Sequence, residues 1–265
     1  MLLSLDSGLS AMEQFQQQLN VIANNIANVN TVGFKAADVN FADTLSQTLG
    51  ANAAGSMQIG TGVTTSSITS DFSTPGILTA TGQPTDLAIN GNGFFVVKDP
   101  SSGATYVTQD GTFSIDNNGY LVTSGGLRVQ GSSGDIQFPT SASTPSMSSF
   151  TFNADGTITL TMSDGSTTSP SGGNIELQSF TNPDQLIKVG DNLYTAPTAA
   201  GGLATPGKPN SDGLGAIKSG YLEMSNVDLA GELTSLITAQ RAYEANSKVI
   251  TTSDDILQTL VNIKR

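Results

Sequence analysis

Leu229, Leu233, Leu236, Gln240, Tyr243, Ser247, Ile250, Asp254, Leu257 and Val261 succeed one another in alternating steps of four and three. Kept up over about 33 residues, this rhythm puts them on one face of a single long helix, a heptad seam. Local chemistry agrees. Ser225 to Asp228 supplies an S-x-x-D capping signal, Glu244 stands four residues before Lys248, and Lys264 and Arg265 complement the helix dipole. At ~1.5 Å per residue, a helix of about 38 residues would run roughly 57 Å, more than a small domain can cover. It needs a partner.

Leu5, Leu9, Met12, Leu19, Ile22 and Ile26 offer one, because their spacing, with Gln16 and Ala23 at the intermediate steps, marks the face of a second helix over residues 3–28. That helix should close in Asn24-Asn25-Ile26-Ala27-Asn28-Val29-Asn30-Thr31-Val32-Gly33, where Asn and Gly tolerate left-handed backbone. Pairing two helices still leaves Ile237, Val249, Ile256 and Ile263 without cover. On the seam, Gln240, Ser247 and Asp254 read either as polar register devices or as simply exposed positions. Alone, each terminus shows an unshielded apolar stripe, so the ends are expected to order fully only on assembly.

Between the termini the period changes to two, in Leu87-Ala88-Ile89, Phe94-Phe95-Val96-Val97, Phe113-Ser114-Ile115 and Tyr120-Leu121-Val122. Asn118-Gly119 separates two such runs, and Asp155-Gly156 separates Phe150-Thr151-Phe152 from Ile158-Thr159-Leu160-Thr161-Met162. Both are hairpin turn dipeptides. Thr48 to Gly62, Thr140 to Ser149 and Ala196 to Gly215 read as connectors. The expected fold is therefore α+β. A discontinuous, coiled-coil-like unit from residues 1–35 and 222–265 joins, through an extended linker over 36–75, a mainly antiparallel β domain over 76–221.

The composition excludes most chemistries. Cys, His and Trp are absent, which removes disulfides, thiolate and histidine mechanisms and the usual zinc ligands. Asp86, Asp110, Asp116, Asp155 and Glu176 would be the carboxylates of any glycosidase-like pair, but nothing in the spacing singles out two of them. Gly91-Asn92-Gly93 lacks the rest of a phosphate loop, and Asp116-Asn117-Asn118-Gly119 and Asn153-Ala154-Asp155-Gly156 lack the terminal Glu of an EF-hand. No catalytic, cofactor or metal site is expected. The net charge of −12 repels phosphate backbones, so nucleic acid is not an expected partner. No run of about 18 apolar residues is present to insert in a membrane, and no basic n-region marks a cleaved signal.

Three blocks carry a resemblance. Asn24 through Val32-Gly33-Phe34-Lys35 is similar to the N-terminal signature of bacterial flagellar hook and basal-body rod proteins. Thr81-Gly82-Gln83-Pro84-Thr85-Asp86-Leu87-Ala88-Ile89-Asn90-Gly91-Asn92-Gly93-Phe94-Phe95 resembles the family's central motif. Ser225-Asn226-Val227-Asp228-Leu229 with Ala239-Gln240-Arg241-Ala242-Tyr243-Glu244-Ala245-Asn246 resembles its C-terminal helix. The resemblance implies a hook or distal-rod subunit exported uncleaved by the flagellar type III apparatus, polymerising with itself and touching neighbouring rod and hook proteins. The chain is short for a hook subunit, which points to the distal rod, whereas Thr81 to Phe95, Leu127-Arg128-Val129-Gln130-Gly131 and the ending Thr259 to Arg265 are more hook-like. The expected contact residues are Leu5, Leu9, Met12, Leu19, Ile22, Asn24, Asn25, Ile26, Asn28, Gly33 and Phe34 at one end. At the other they are Leu229, Leu233, Leu236, Gln240, Arg241, Tyr243, Asn246, Ile250, Leu257 and Val261. A phage-tail-like or secreted adhesin protein would share the acidic, Ser/Thr/Gly-rich strands, but the long helices at both ends argue against it.

Overall fold

A computed structural model describes residues 2–52, 55–139, 146–201, 206–211 and 213–263. The chain divides into two compact units: Met1–Val29, Ala36–Asp71 and Val227–Arg265 make the first, Asn30–Lys35 and Phe72–Asn226 the second. Two terminal helices and a mostly antiparallel β domain between them are the architecture read from the sequence.

The first unit holds α1 (Leu2–Ala27), the strands β1 (Ala37–Asp43), β2 (Ser46–Asn52), β3 (Gly55–Gly60) and β4 (Val63–Ser70), and α2 (Leu229–Ile263). α1 closes in the Asn-rich segment as expected: the Asn28 amide donates to the Asn24 carbonyl oxygen from both its backbone N (3.2 Å) and its side-chain Nδ2 (2.9 Å). At the start of α2, Asp228 is itself the N-cap. Its Oδ1 accepts the Ala230 N–H at 3.1 Å and its carbonyl the Glu232 N–H at 2.9 Å, so the cap lies at the end of the S-x-x-D string rather than at Ser225. Lys264 and Arg265 lie outside the described residues.

Residues 36–75 are more than an extended linker. β1 pairs antiparallel with β4 from Ala37↔Ser70 to Asp43↔Val63, with a bulge between Asn40 and Phe41, and β2 pairs with β3. This hairpin lies on α1: Phe15 and Phe41 meet edge to face at 6.1 Å, and the Thr65 hydroxyl contacts Gln14 and reaches Gln17 Oε1 at 3.0 Å. Isolated apolar residues among Ser, Thr and Asn suffice for a two-stranded ribbon that has a helix to lean on, though they look like linker in sequence.

The second unit comprises β5 (Leu78–Ala80), β6 (Leu87–Asn90), β7 (Phe94–Lys98), β8 (Thr105–Thr108), β9 (Phe113–Ile115), β10 (Leu121–Thr123), β11 (Arg128–Gly131) and β12 (Gly134–Asp135). It continues through β13 (Met147–Phe152), β14 (Ile158–Met162), β15 (Thr167–Thr168), β16 (Leu177–Gln178), β17 (Ile187–Gly190), β18 (Leu193–Thr195), β19 (Ala216–Ser219) and β20 (Tyr221–Glu223). Its main sheet runs β17-β18-β8-β7-β11-β10-β9, with β12 on β11 and β16 on β7. β7 is covered on both faces. Phe95 and Val97 enter the large core with Leu87, Leu121, Val129, Phe152 and Leu177, while Phe94 and Val96 join Phe72, Val107 and Tyr194. That explains why Phe94 to Val97 is apolar without alternation. Phe72 stacks edge-on against Phe94 and Tyr194, both at 5.3 Å between ring centroids.

Both anticipated hairpins form. Gly119 turns at φ 84° between β9 and β10, and Gly156 at φ 79° between β13 and β14, where Phe152 pairs with Ile158. Of the presumed connectors, residues 53–54, 140–145, 202–205 and 212 lie outside the described residues, and Met147–Ser149 belongs to β13.

Candidate assembly interface

Within the helical unit, α1 and α2 run antiparallel against each other: Asn25 of α1 meets Glu232 of α2, and Gly8 meets Ile250. The shielded face of α2 passes through Glu232, Leu236, Ala239, Asn246, Ser247, Ile250, Ser253 and Leu257, with Ala239 and Ser253 buried. It thus shares Leu236, Ser247, Ile250 and Leu257 with the seam read from sequence, but Gln240 and Asp254 are exposed and the buried positions are Ala239 and Ser253. Gln240 and Arg241 are exposed, and the Arg241 guanidinium pairs with Glu244 at 3.0 Å on the surface. Small residues every seven positions let the helices approach closely. Gly8 does the same from α1, where an added Cβ would stand 3.4 Å from Ile250 Cγ1.

One amide fixes the end of α1. Asn25, 1% exposed, donates through Nδ2 to the Ala37 carbonyl (2.9 Å) and to Glu232 Oε1 (2.8 Å), and its Oδ1 accepts the Ala37 N–H (3.0 Å). It joins helix, strand and second helix at one point, a use that only an amide, donor and acceptor together, can serve. Burial raises the Glu232 pKa above its ordinary 4.5, Asp38 and Asp228 push the same way, and the Asn25 bond opposes them. Ile22 is buried, whereas Leu5, Met12, Leu19, Ile26 and Asn28 are half-buried and Asn24 and Leu9 exposed.

Many large apolar residues of α2 are exposed. Leu229, Leu233, Ile237, Val249, Ile256, Leu260, Val261 and Ile263 are between 43% and 75% exposed, and Tyr243 is at 37%. Surface apolar residues are ordinary when scattered, but these recur along one helix.

Gly33, Phe34 and Lys35 are spent inside the β unit. The Gly33 N–H donates to the Glu223 carbonyl (2.8 Å), Asn192 Nδ2 to the Val32 carbonyl (2.7 Å), and Lys188 lies 4.6 Å from the Phe34 ring centre. Partial desolvation of its ammonium lowers the Lys188 pKa. Lys35 Nζ meets Glu223 Oε1 at 2.9 Å in the interior, and the same oxygen accepts the Gly76 N–H at 2.7 Å. Neither Lys35 nor Glu223 was among the residues singled out from sequence. The only hint was the place of Lys35 in the signature, and its partner stands 188 positions away.

The carboxylates serve turns. Asp110, Asp155 and Asp164 each accept the backbone N–H of the residue two positions on, and Asp86 accepts the Thr81 hydroxyl. For Asp155 the Thr157 hydroxyl holds the pKa below the usual carboxylate value. Among the described residues no three potential metal-ligating side chains gather, and no helix is long and apolar enough to cross a membrane.

Comparison with known proteins agrees with this arrangement of helix, β domain and helix. Residues 5–35 match the family described as flagella basal body rod protein, residues 88–160 the flagellar hook protein FlgE/F/G D1 domain, and residues 218–263 the flagellar basal body rod FlgEFG protein C-terminal. The flagellar basal-body rod protein FlgG of Bacillus subtilis is 46% identical, covering 100% of both chains. That of Caulobacter vibrioides is 39% identical over 98% of this chain and 99% of its own. The flagellar hook protein FlgE of Brucella abortus is more distant, at 27% over 98% of each. The chain belongs to the flagellar hook and basal-body rod protein family.

Proposed function

We propose that this chain is a structural subunit of the flagellar basal-body rod, without catalytic activity, and that it polymerises with copies of itself through its terminal helices into a segment of the axial tube. The rod is favoured over the hook because the relatives that match at 38–46% identity are rod proteins, whereas the hook protein matches at 27%. The observation that carries the assembly reading is the apolar surface left on α2 after it has packed on α1. Burying a Leu or Ile side chain is worth roughly 1.5–3 kcal/mol, so a few of these residues meeting a neighbour offset much of the cost of association. In this reading α1 and α2 form a coiled-coil-like pair, Leu229, Leu233, Tyr243 and Val261 face neighbours, and Ile22, Asn25, Gly33 and Phe34 act indirectly by holding the helix ends in shape. Export without a cleaved signal and contact with other rod proteins belong to the same proposal.

The test is electron microscopy and sedimentation of the purified full-length chain as its concentration rises. Tubes of uniform width are expected, and removing residues 253–265 should abolish them. A chain that stays monomeric throughout, or a truncated one that still forms tubes, overturns the proposal.

A further inference from the structure

A cavity of about 480 Å³ opens in the β unit over β7, within the ~300–1,000 Å³ of ordinary ligand sites. Phe72, Gly93, Phe94 and Gln109 are its buried floor, and Ser73, Asn92, Ser179 and Asp184 belong to its exposed rim. Phe72 and Phe180 each stand edge-on to Phe94, with ring centroids 5.3 and 5.4 Å away and planes inclined by 64° and 67°. The rings alone would suit any flat apolar group. The polar atoms narrow the choice.

Two amides flank Phe94. Gln178 is its partner across the β16–β7 pair, and Gln109 follows Thr108, the β8 partner of Phe95, so the three side chains share one face of the sheet. Gln109 is 6% exposed and Gln178 1%. Each has spent its donor end: Gln109 Nε2 donates to the Gly93 carbonyl at 3.2 Å and Gln178 Nε2 to the Ser179 carbonyl at 2.8 Å. What each leaves is its Oε1, buried without a hydrogen-bond partner. An acceptor held out of water in this way costs free energy until a donor reaches it. Gln109 lines the cavity, and Asp184, the one charged side chain among the described lining residues, is a further acceptor. The net charge of −12 adds a field that favours a cation.

We infer that this cavity receives the guanidinium group of an arginine side chain presented by another polypeptide. That head carries donors and no acceptor, stacks on phenyl rings, and is more weakly hydrated than an ammonium. Its apolar stem passes the rim along the Phe rings, so that the head meets Gln109 Oε1 while the Asp184 carboxylate balances its charge. A sugar brings acceptors as well as donors and matches this floor less well.

The probe is N-acetyl-arginine N-methylamide, titrated into the isotope-labelled full-length chain and followed by NMR. Saturable shifts are expected at the Gln109 side-chain amide and at the Phe94 and Phe180 rings, with the neutral isostere N-acetyl-citrulline N-methylamide binding about tenfold more weakly. Gln109→Met removes the acceptor at similar volume and should abolish the shifts at both rings. Asp184→Asn, on the exposed rim, should weaken binding about two- to fivefold. The absence of saturable shifts up to the solubility limit of the probe, equal binding of the arginine and citrulline probes, or parental affinity in either folded variant overturns the inference. Should Gln109→Met lose its native far-ultraviolet circular dichroism, Asp184→Asn and the citrulline comparison still decide.

Discussion

Lys35 and Glu223 form an ion pair inside the β unit, Nζ to Oε1 at 2.9 Å, with side chains only 3% and 4% exposed. Glu223 also receives the Gly76 N–H, and Lys35 Nζ reaches towards the Thr74 carbonyl at 3.4 Å. A lone charge left there would be costly, whereas the pair as a whole need not add much stability. Its position joins the segment that follows α1 in sequence to β20, near the end of the β unit. We read it as a device that fixes where the chain enters and leaves that unit.

Lys35→Met should therefore destabilise the β unit by about 3–5 kcal/mol, because the Glu223 carboxylate keeps only one backbone donor. Adding Glu223→Gln should restore part of the loss, since an amide oxygen still accepts from Gly76 and carries no charge. Urea unfolding of the full chain, followed by near-ultraviolet circular dichroism, checks both. Equal stability of the single and double variants would show that the buried charge is not what matters.

Gly33 sits at φ +67°, where a Cβ would come within 2.8 Å of the Asp110 backbone N. Both the left-handed conformation and the close approach demand glycine. Gly33→Ala should cost at least about 2 kcal/mol in the same unfolding experiment. Gly82→Ala is the comparison: its φ is +73° but a Cβ meets nothing within 4 Å, so only the conformational part, about 1 kcal/mol, should be lost.

How far the sequence discloses all this depends on what periodicity measures. A heptad rhythm gives the period of α2 and its length, and both are found. It gives the phase poorly when apolar residues lie on both flanks of the seam. Ala239 and Ser253 carry little hydrophobic signal, yet they are buried, while the larger Leu233 and Val261 stay exposed. Asn118-Gly119 and Asp155-Gly156 were legible because a turn is specified by two adjacent residues. The Lys35–Glu223 pair was not, since nothing local tells a buried lysine from an exposed one. The β1–β4 ribbon was hidden by its Ser and Thr content, which propensity assigns as readily to linker as to strand.

Glu232 predicts a pH dependence. Its pKa is raised in the folded chain, chiefly by burial. A carboxyl with a raised folded value supports folding fully below its unfolded pKa, and that support is lost as pH rises through the folded value. As pH rises above about 4.5, then, Glu232 should progressively weaken the helical unit until its carboxyl is fully ionised. Glu232→Gln keeps an acceptor for Asn25 Nδ2 and cannot ionise. Its stability relative to the parent, read by far-ultraviolet circular dichroism in urea at a series of pH values, should improve as pH rises and then level off. A difference that stays flat across this range would contradict the assigned cause.

Gly8 separates the packing of α1 on α2 from the helix propensity of α1. Its would-be Cβ finds Ile250 Cγ1 at 3.4 Å, Ile250 Cδ1 at 3.8 Å and the Asn246 carbonyl at 4.0 Å, which is ordinary contact distance. Alanine should fit and stabilise α1 by up to about 1 kcal/mol, because glycine costs a helix interior that much. Leucine extends past that Cβ into Ile250 and should cost about 1–3 kcal/mol through overpacking, although its intrinsic helix propensity is nearly as good as alanine's. The two variants should thus move in opposite directions in thermal unfolding of the helical unit, and Gly8→Leu should also speed amide exchange around Ala239 to Ser253. If both variants stabilise, α1 is not held against Ile250 in the way described.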